Sequence, residues 1–543
     1  MKMPMAPALR NALAGLAMAG LMLPEAVAYA GIAGLAPGRA LIAAVAGGLV
    51  YALVGRSRFA IVSPTSSSAA ILAAALGSLA TTPAAASAAV AANATALTLM
   101  AGALFLALAA ARLGNLAGFV SRPVLRGFAM GLALTIIVRQ LPALVGTATP
   151  HGAIGTVAWT ILMQAPHLHF ASLACGLAAL TLLLLLRRWP AVPGALIVLV
   201  MGIAGASLPG FAQLGIAQAG PVPLLLAAPM LPTDPAQWLR LVPLTVPLVL
   251  ILFAESWGTM RSLALARGDA LGANRELVAL GLANGAAALA QGMPVGAGFS
   301  AGSANAASGA TSRAAGACAA LALLALALWA GPLTARLPQP VLAAVVIAAL
   351  SHALSPAPLL RPWKLGRDRW TAPTAALGVL ALGVLDGLLL AMGLSLAQLL
   401  YRLAHPSLSE LGRLNNGHDF VDRTAHESAQ AVPGIAIYRP NAPLFFANVE
   451  TVLGLVARQA QGRGARIVVL SLEESDDLDS TAAEAIGELH ATLTRRHGRL
   501  ILARTHDRAR AVLAAAGLAD LARDATFSVA DAVVLAQNAR AEE

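Results

Sequence analysis

The stretch Ala12–Gly38 reads ALAGLAMAGLMLPEAVAYAGIAGLAPG. About 20 apolar residues suffice to cross a bilayer as a helix, so its length alone marks it as a span. Yet Pro24 and Glu25 stand side by side in its middle. A carboxylate at that depth costs roughly 2.5–3.5 kcal/mol on insertion scales and normally faces a cavity rather than lipid. Proline there removes a backbone hydrogen bond and bends the helix, as happens where a spanning helix lines a site. The first span is therefore read as functional. Lys2, Arg10 and Ala26-Val27-Ala28 imitate a secretory leader with its cleavage site, but Pro24-Glu25 argues for a retained helix.

The rest of the chain agrees with a membrane protein. Of 543 residues, 58% are hydrophobic and 11% charged, too apolar for a large soluble core. Charge divides near residue 405: residues 1–405 hold 22 Lys+Arg against 7 Asp+Glu, a net +15, and the remainder is −4. The basic balance thus comes from loops between apolar segments and does not imply nucleic acid. Cys175 and Cys318 both lie in apolar runs, which excludes a disulfide framework. No P-loop, zinc spacing or nucleophile–base pattern is present, so enzyme chemistry is not expected; His167 and His169 are too isolated to suggest a metal.

Apolar segments broken at Gly, Pro and Arg predict fourteen spans in two sets of seven. The first set is 12–31, 38–54, 65–80, 87–111, 123–145, 168–186 and 191–209; the second is 240–265, 274–292, 299–312, 314–335, 339–356, 371–385 and 387–404. Arg and Lys test the count. With a cytoplasmic N-terminus, eighteen fall on the cytoplasmic side, among them Arg126, Arg261, Arg361, Lys364 and Arg367, and four outside: Arg39, Arg139, Arg240 and Arg336. Seven spans in each half would make the two halves inverted repeats.

Segments three and ten are short and rich in Ser and Gly, and such segments at matching places in two halves point to a transporter binding site. Ser63-Pro64-Thr65-Ser66-Ser67-Ser68 puts proline and hydroxyls at a helix start, and Phe299-Ser300-Ala301-Gly302-Ser303 is its equivalent. If both helix N-termini meet at mid-membrane, their free N–H groups favour an anion. Ser66, Phe299, Ser300, Ala301, Gly302 and Ser303 are the expected substrate contacts, with Gly302 letting the backbone approach the ligand. Glu25 and Glu255, at matching places in segments one and eight, are the expected coupling carboxylates, burial favouring their protonated form. Thr259, one turn beyond Glu255, could complete a sodium site instead. Asn305 and Gln291 could line the site but are better read as links between helices.

After Arg402 the pattern changes. Polar residues 406–430 read as a linker, and strand–helix alternation over residues 431–543 as a small α/β domain. A fragment starting near Ala431 is expected to fold alone.

Several ordered motifs carry a family resemblance. Pro24–Ala30 with Ala33–Pro37, Tyr51–Arg58, Ser63-Pro64-Thr65, Gly127-Phe128 and Asn274-Arg275-Glu276-Leu277 with Asn284 resemble the SulP anion transporters. Pro443–Asn448 and Asp479-Ser480-Thr481 resemble landmarks of a STAS domain. The resemblance implies a fourteen-span core-and-gate fold, segments 1–4 and 8–11 moving against 5–7 and 12–14, with a cytoplasmic STAS domain. It also implies a homodimer, a possible cytoplasmic partner at STAS, no cofactor beyond a coupling proton or sodium ion, and a small anion such as sulfate, bicarbonate or a dicarboxylate; the Ala- and Arg-rich composition points to a bacterial inner membrane. Ser480 matches a phosphoacceptor position of some STAS proteins, although capping of the following helix by Asp479 or Ser480 also accounts for the pattern. The family often has Arg at the position of Ala301; here that charge is missing, and Arg at 301 would favour a divalent anion. The other classes open to the sequence are a nucleobase permease of the same fold, which the STAS-like tail disfavours, and a transport-inactive sensor signalling through STAS.

Overall fold

Proline stands in the first turn of many of the apolar helices, where its missing N–H costs nothing and its fixed φ suits the helix. A computed structural model describes residues 6–77, 86–115, 121–147, 154–164, 168–189, 192, 194–220, 230–329, 335–357, 360, 369–415 and 417–542. Arg361, Lys364, Arg367 and His167, which entered the sequence reading, lie outside these residues. The chain divides into two compact units, Met1–Ser395 and Leu396–Glu543.

In the first unit the helices are α1 (Pro7–Ile32), α2 (Pro37–Val54), α3 (Ser66–Gly77), α4 (Ala86–Ala110), α5 (Arg122–Val145), α6 (Ile154–Met163), α7 (Phe170–Leu186) and α8 (Gly194–Ala206). They are followed by α9 (Pro235–Leu265), α10 (Ala273–Leu289), α11 (Phe299–Ala307), α12 (Ala314–Trp329), α13 (Gln339–Leu350), α14 (Thr371–Leu382) and α15 (Val384–Ala404), whose residues from Leu396 onward belong to the second unit. Among the described residues, five helices (α1, α2, α4, α5 and α9) are long and apolar enough to cross a bilayer unaided. Every expected segment contains a helix; α6 is additional. At ten residues it is too short to be counted as a span, and it falls between two segments the sequence reading had joined by a loop.

Glycine sets the closest helix contacts. A Cβ at Gly15 of α1 would fall 2.5 Å from Cys318 of α12, and one at Gly127 of α5 would fall 2.0 Å from the Ala372 carbonyl of α14. Small-residue contacts of this kind are how helices approach where water supplies no drive to associate them. Two groups of helices result: α1, α2, α4, α9, α10 and α12 pack on one another, while α5 packs on α13 and α14, and α7 on α13.

Between α2 and α3 the chain is briefly extended as β1 (Val62–Ser63), and between α10 and α11 as β2 (Gly296–Ala297). The two pair antiparallel, Val62 with Ala297 and Ser63 with Gly296, all four buried. Irregular backbone at this depth is tolerated because its polar groups are paired inside the protein.

The second unit is a sheet in the order β4 (Phe420–Asp422), β3 (Leu408–Leu414), β6 (Ile435–Pro440), β7 (Ile467–Ser471), β8 (Arg499–Ala503), with β5 (Ala429–Gln430) also on β3. β6, β7 and β8 run parallel, joined through α16 (Val449–Gly462) and α17 (Ser480–Arg495), and β3 is antiparallel to β6. Alternate strand residues face two separate cores, as the period of two requires: Ala436, Tyr438, Val468 and Leu470 on one side, Ile435, Ile437, Ile467 and Val469 on the other. α18 (Asp507–Ala515), α19 (Ala519–Arg523) and α20 (Val529–Glu542) complete the unit.

Residues 406–430 are therefore not a linker. β3, β4 and β5 lie within them, and Leu411 is buried in the core. The segment reads as polar because β3 and β4 bear charged and hydroxyl side chains whose partners lie partly on other elements: Glu410 pairs with Arg423 just beyond β4 and with Arg463 at the end of the helix Val449–Gly462, and Ser409 with Asp422. The boundary of the expected fragment moves accordingly. A fragment beginning at Ala431 would leave β6 as an open edge and is expected to aggregate or melt several degrees lower than one beginning at Pro406. Thermal melts of the two with size-exclusion chromatography check this; equal behaviour would show β3 to be dispensable.

Acid should weaken the same region. The Ser409 hydroxyl, then the Thr424 hydroxyl and N–H, hold the Asp422 carboxyl at about 2, below its ordinary 3.8. Its stabilising contribution is complete above the ordinary value and is lost as pH falls toward 2. For an Asp422→Asn fragment the melting deficit, on the order of 1 kcal/mol or less after solvent screening, is expected above pH ~4 and should vanish near pH 2.

Candidate functional site

The β1–β2 pair determines what the two short helices do. β1 leads into α3 and β2 into α11, so both helix starts emerge next to each other. Thr65 and Ser68 cap α3 reciprocally: the Ser68 N–H donates to Thr65 Oγ1 at 3.1 Å, and the Thr65 N–H to Ser68 Oγ at 2.9 Å. α11 starts from Gly298, which makes no side-chain cap.

Ser256 and Asn284 fix the β2 side. Ser256 Oγ accepts from the Ala297 N–H at 2.8 Å. The Asn284 amide donates to the Val295 carbonyl at 2.9 Å and accepts from the Val295 N–H at 3.0 Å, tying the approach to β2 onto α10. Both side chains are fully buried. Asn305 does the equivalent on the other side, donating to the Phe59 carbonyl at 3.1 Å ahead of β1.

A cavity of about 780 Å³ adjoins the paired helix starts. Ser66 of α3 and Phe299, Ser300 and Ala301 of α11 reach its wall, and so do Glu25 of α1 and Glu255 and Thr259 of α9. Seven residues named from the sequence thus share one cavity. Glu255 accepts a short hydrogen bond from Ser67 Oγ, whose oxygen in turn lies 2.9 Å from Thr65 Oγ1. A Cβ at Gly298 would stand 4.0 Å from Glu255 Oε1, so this carboxylate lies against the start of α11 as well as that of α3. Glu25 is 5% exposed and makes no hydrogen bond or ion pair among the described residues. A buried carboxylate without a basic partner is costly when ionised.

Gly302 and Ser303 are not on the cavity wall. Gly302 faces α9 instead, where a Cβ would meet Leu263 Cδ1 and Thr259 Cγ2 at 3.1 Å each. Each helical residue turns the side-chain direction by about 100°, which carries position 302 past the cavity face. Its small size serves helix packing, so a bulky residue there would act on packing first. Gln291 links helices: Arg39 Nη1 donates to its carbonyl and Nη2 to its side-chain oxygen. In the second unit Asp479, not Ser480, caps α17, accepting from the Ala482 N–H at 2.8 Å and also from the Phe446 N–H at 2.7 Å. Ser480 is left exposed.

The sequence reading missed several residues. Ser67 and Thr65 were inside the quoted hydroxyl run, but a run does not say which hydroxyl meets Glu255. Tyr29, one turn after Glu25, joins the cavity wall, as does Trp257. Arg126 and Arg261 had been counted only as loop charges, yet both line the cavity. Glu276 is a third buried carboxylate, accepting from Tyr51 Oη at 2.7 Å and from the Arg56 N–H at 3.1 Å; it lies outside the cavity wall.

The chain is similar to known proteins in sequence and fold. The profile of the sulfate permease family matches residues 9–369, and that of the STAS domain residues 428–532. A Mycobacterium tuberculosis protein named as a probable sulfate transporter is 33% identical over 524 residues, 94% of this chain and 91% of its own. The murine solute carrier 26 family member A9 anion transporter, in its inward-facing state, superposes with a TM-score of 0.86 over 99% of this chain and 92% of its own, at 20% identity. The transmembrane domain of a cyanobacterial bicarbonate transporter superposes at 0.60 over 72% of this chain and 99% of its own, at 23% identity.

Proposed function

The chain belongs to the sulfate permease family, a family of membrane transporters and not enzymes, and from that premise we propose that it is a proton-coupled secondary active transporter of small divalent or carboxylate-like anions, sulfate foremost. The observation that carries the reading is the convergence of the α3 and α11 starts on one cavity that also holds two buried carboxylates. Helix N-termini present unpaired N–H groups and a positive dipole end to an anion. A neutral Glu25 beside them would no longer repel it, so proton and anion enter together. The coupling residue is Glu25, with Glu255 organising the helix starts.

The reading extends to topology. The cavity runs from Glu25 and Glu255 toward Arg126 and Arg261, cations that the positive-inside rule puts on the cytoplasmic side. The protein would thus sit in a bacterial inner membrane with both termini cytoplasmic, fourteen spans in two inverted sets, and a cavity open inward. A homodimer, with the STAS unit free for a cytoplasmic partner, completes the picture.

Uptake of labelled sulfate, bicarbonate and dicarboxylates into proteoliposomes, with and without a pH gradient, tests it. Glu25→Gln imitates the protonated form and is expected to bind anion at neutral pH but to lose acid-stimulated accumulation. Wild-type pH dependence in that variant would make Glu25 structural. Thr259, on the wall one turn from Glu255, supports the sodium-coupled alternative, which a sodium gradient driving uptake without a pH gradient would establish. No uptake of any anion would favour the sensor.

A further inference from the structure

Apart from Glu25 and Glu255, the charged side chains on the cavity wall are Arg126 and Arg261. Neither makes an ion pair or hydrogen bond among the described residues. Each guanidinium brings a positive charge and a rigid fork of donors to the wall. The two come from different helices: α5, carrying Arg126, packs mainly on α13 and α14, and α9, carrying Arg261, on α3, α4 and α11, while Val124 of α5 and Ala254 of α9 share a small core with Ala375 and Ala391. Arg261 is six residues beyond Glu255, about 9 Å along the helix axis at 1.5 Å per residue. Ser121 at the start of α5 also lines the cavity; among the described residues its buried Oγ has no partner and it caps nothing.

We propose that Arg126 and Arg261 form an outer anion station that selects divalent oxyanions and passes them to the α3 and α11 starts, supplying the charge that Ala301 lacks. The inference rests on the transporter reading. Two like charges lining one cavity repel when the station is empty, and a dianion between them relieves that repulsion. A dianion satisfies both; a monoanion leaves one uncompensated. The Ser121 hydroxyl offers a donor to the same oxyanion. Low-dielectric walls focus the field of both cations and raise the local anion concentration.

The test uses the full-length protein in proteoliposomes and labelled sulfate, with formate as monovalent competitor. Arg126→Gln and Arg261→Gln are each expected to raise the sulfate KM several-fold. The double variant should raise it roughly tenfold or more at low ionic strength, the scale of electrostatic focusing, with kcat within about twofold. Added salt should shrink the difference, because charges more than about 8 Å apart are screened at physiological ionic strength. The double variant should also lose discrimination between sulfate and formate. Arg126→Lys with Arg261→Lys should keep the wild-type KM, which packing loss would not allow. An unchanged KM and salt dependence in the double Gln variant overturns the station, as does equal damage from the Lys pair. If the wild type transports no anion, the transporter reading fails on its own terms. Equilibrium binding of labelled sulfate then decides the station: binding lost in the double variant supports it, and no binding to the wild type overturns it.

Discussion

Glu255→Gln is expected to lower initial anion uptake by roughly ten- to a hundredfold, matching the loss of about 1.5–3 kcal/mol for a hydrogen bond to a charged group. The carboxylate accepts from Ser67 in α3 and lies against Gly298 at the start of α11. A carboxylate can accept on both oxygens, while glutamine has one acceptor and an NH₂ that can only donate. Turned toward Ser67, that NH₂ can only donate and forces the Ser67 hydroxyl to reverse toward Thr65; turned toward Gly298, it sets a donor against a helix start that offers only donors. The effect should fall on kcat and KM together because both helix starts move. Melting in detergent should stay within a few degrees of wild type, which separates site geometry from folding. Uptake at the wild-type rate would remove Glu255 from the site.

Asn284→Leu is expected to have the largest effect on stability. One side chain satisfies both the N–H and the carbonyl of Val295, and it has no exposed surface. Leucine is similar in volume but leaves both groups buried and unpaired, at about 1–3 kcal/mol each. Melting should fall by several degrees and transport should be lost. Asn284→Asp in its neutral form keeps an acceptor for the Val295 N–H and one O–H donor for the Val295 carbonyl but loses the second bond that the amide gives to the Leu280 carbonyl, and should be intermediate in melting. A leucine variant with wild-type melting would mean that water or backbone shifts replace both bonds.

Much of this was legible in the sequence, for physical reasons that differ by element. Glu25 and Glu255 stood out because a carboxylate in an apolar run is costly, so its presence alone implies a cavity. α3 and α11 stood out because Ser, Gly and Pro interrupt hydrophobicity at matching places. The β1–β2 pair did not. Two residues on each side have no periodicity to read, and their pairing spans more than two hundred residues of sequence. Gly302 was misread because a glycine serves ligand approach and helix packing equally well until the helix face is known. β3 was misread because its charges are neutralised by partners on other elements, and a sequence scan sees only the charges. Arg126 and Arg261 lie near helix ends, where position along the chain does not separate a loop cation from one turned into a cavity.

The β1–β2 ladder also limits the mechanical degrees of freedom of the site. Val62 and Ser63 are joined through main-chain atoms to Ala297 and Gly296, and the flanking segments are pinned by Asn305 and Asn284. The two helix starts consequently share one reaction coordinate. A ligand held between them cannot be half released by one segment sliding away from the other. On the proposed transport reading, a displacement that carries such a ligand would move both starts together with Ser67 and Glu255, and the compliance of the cycle would reside in the helices that face them.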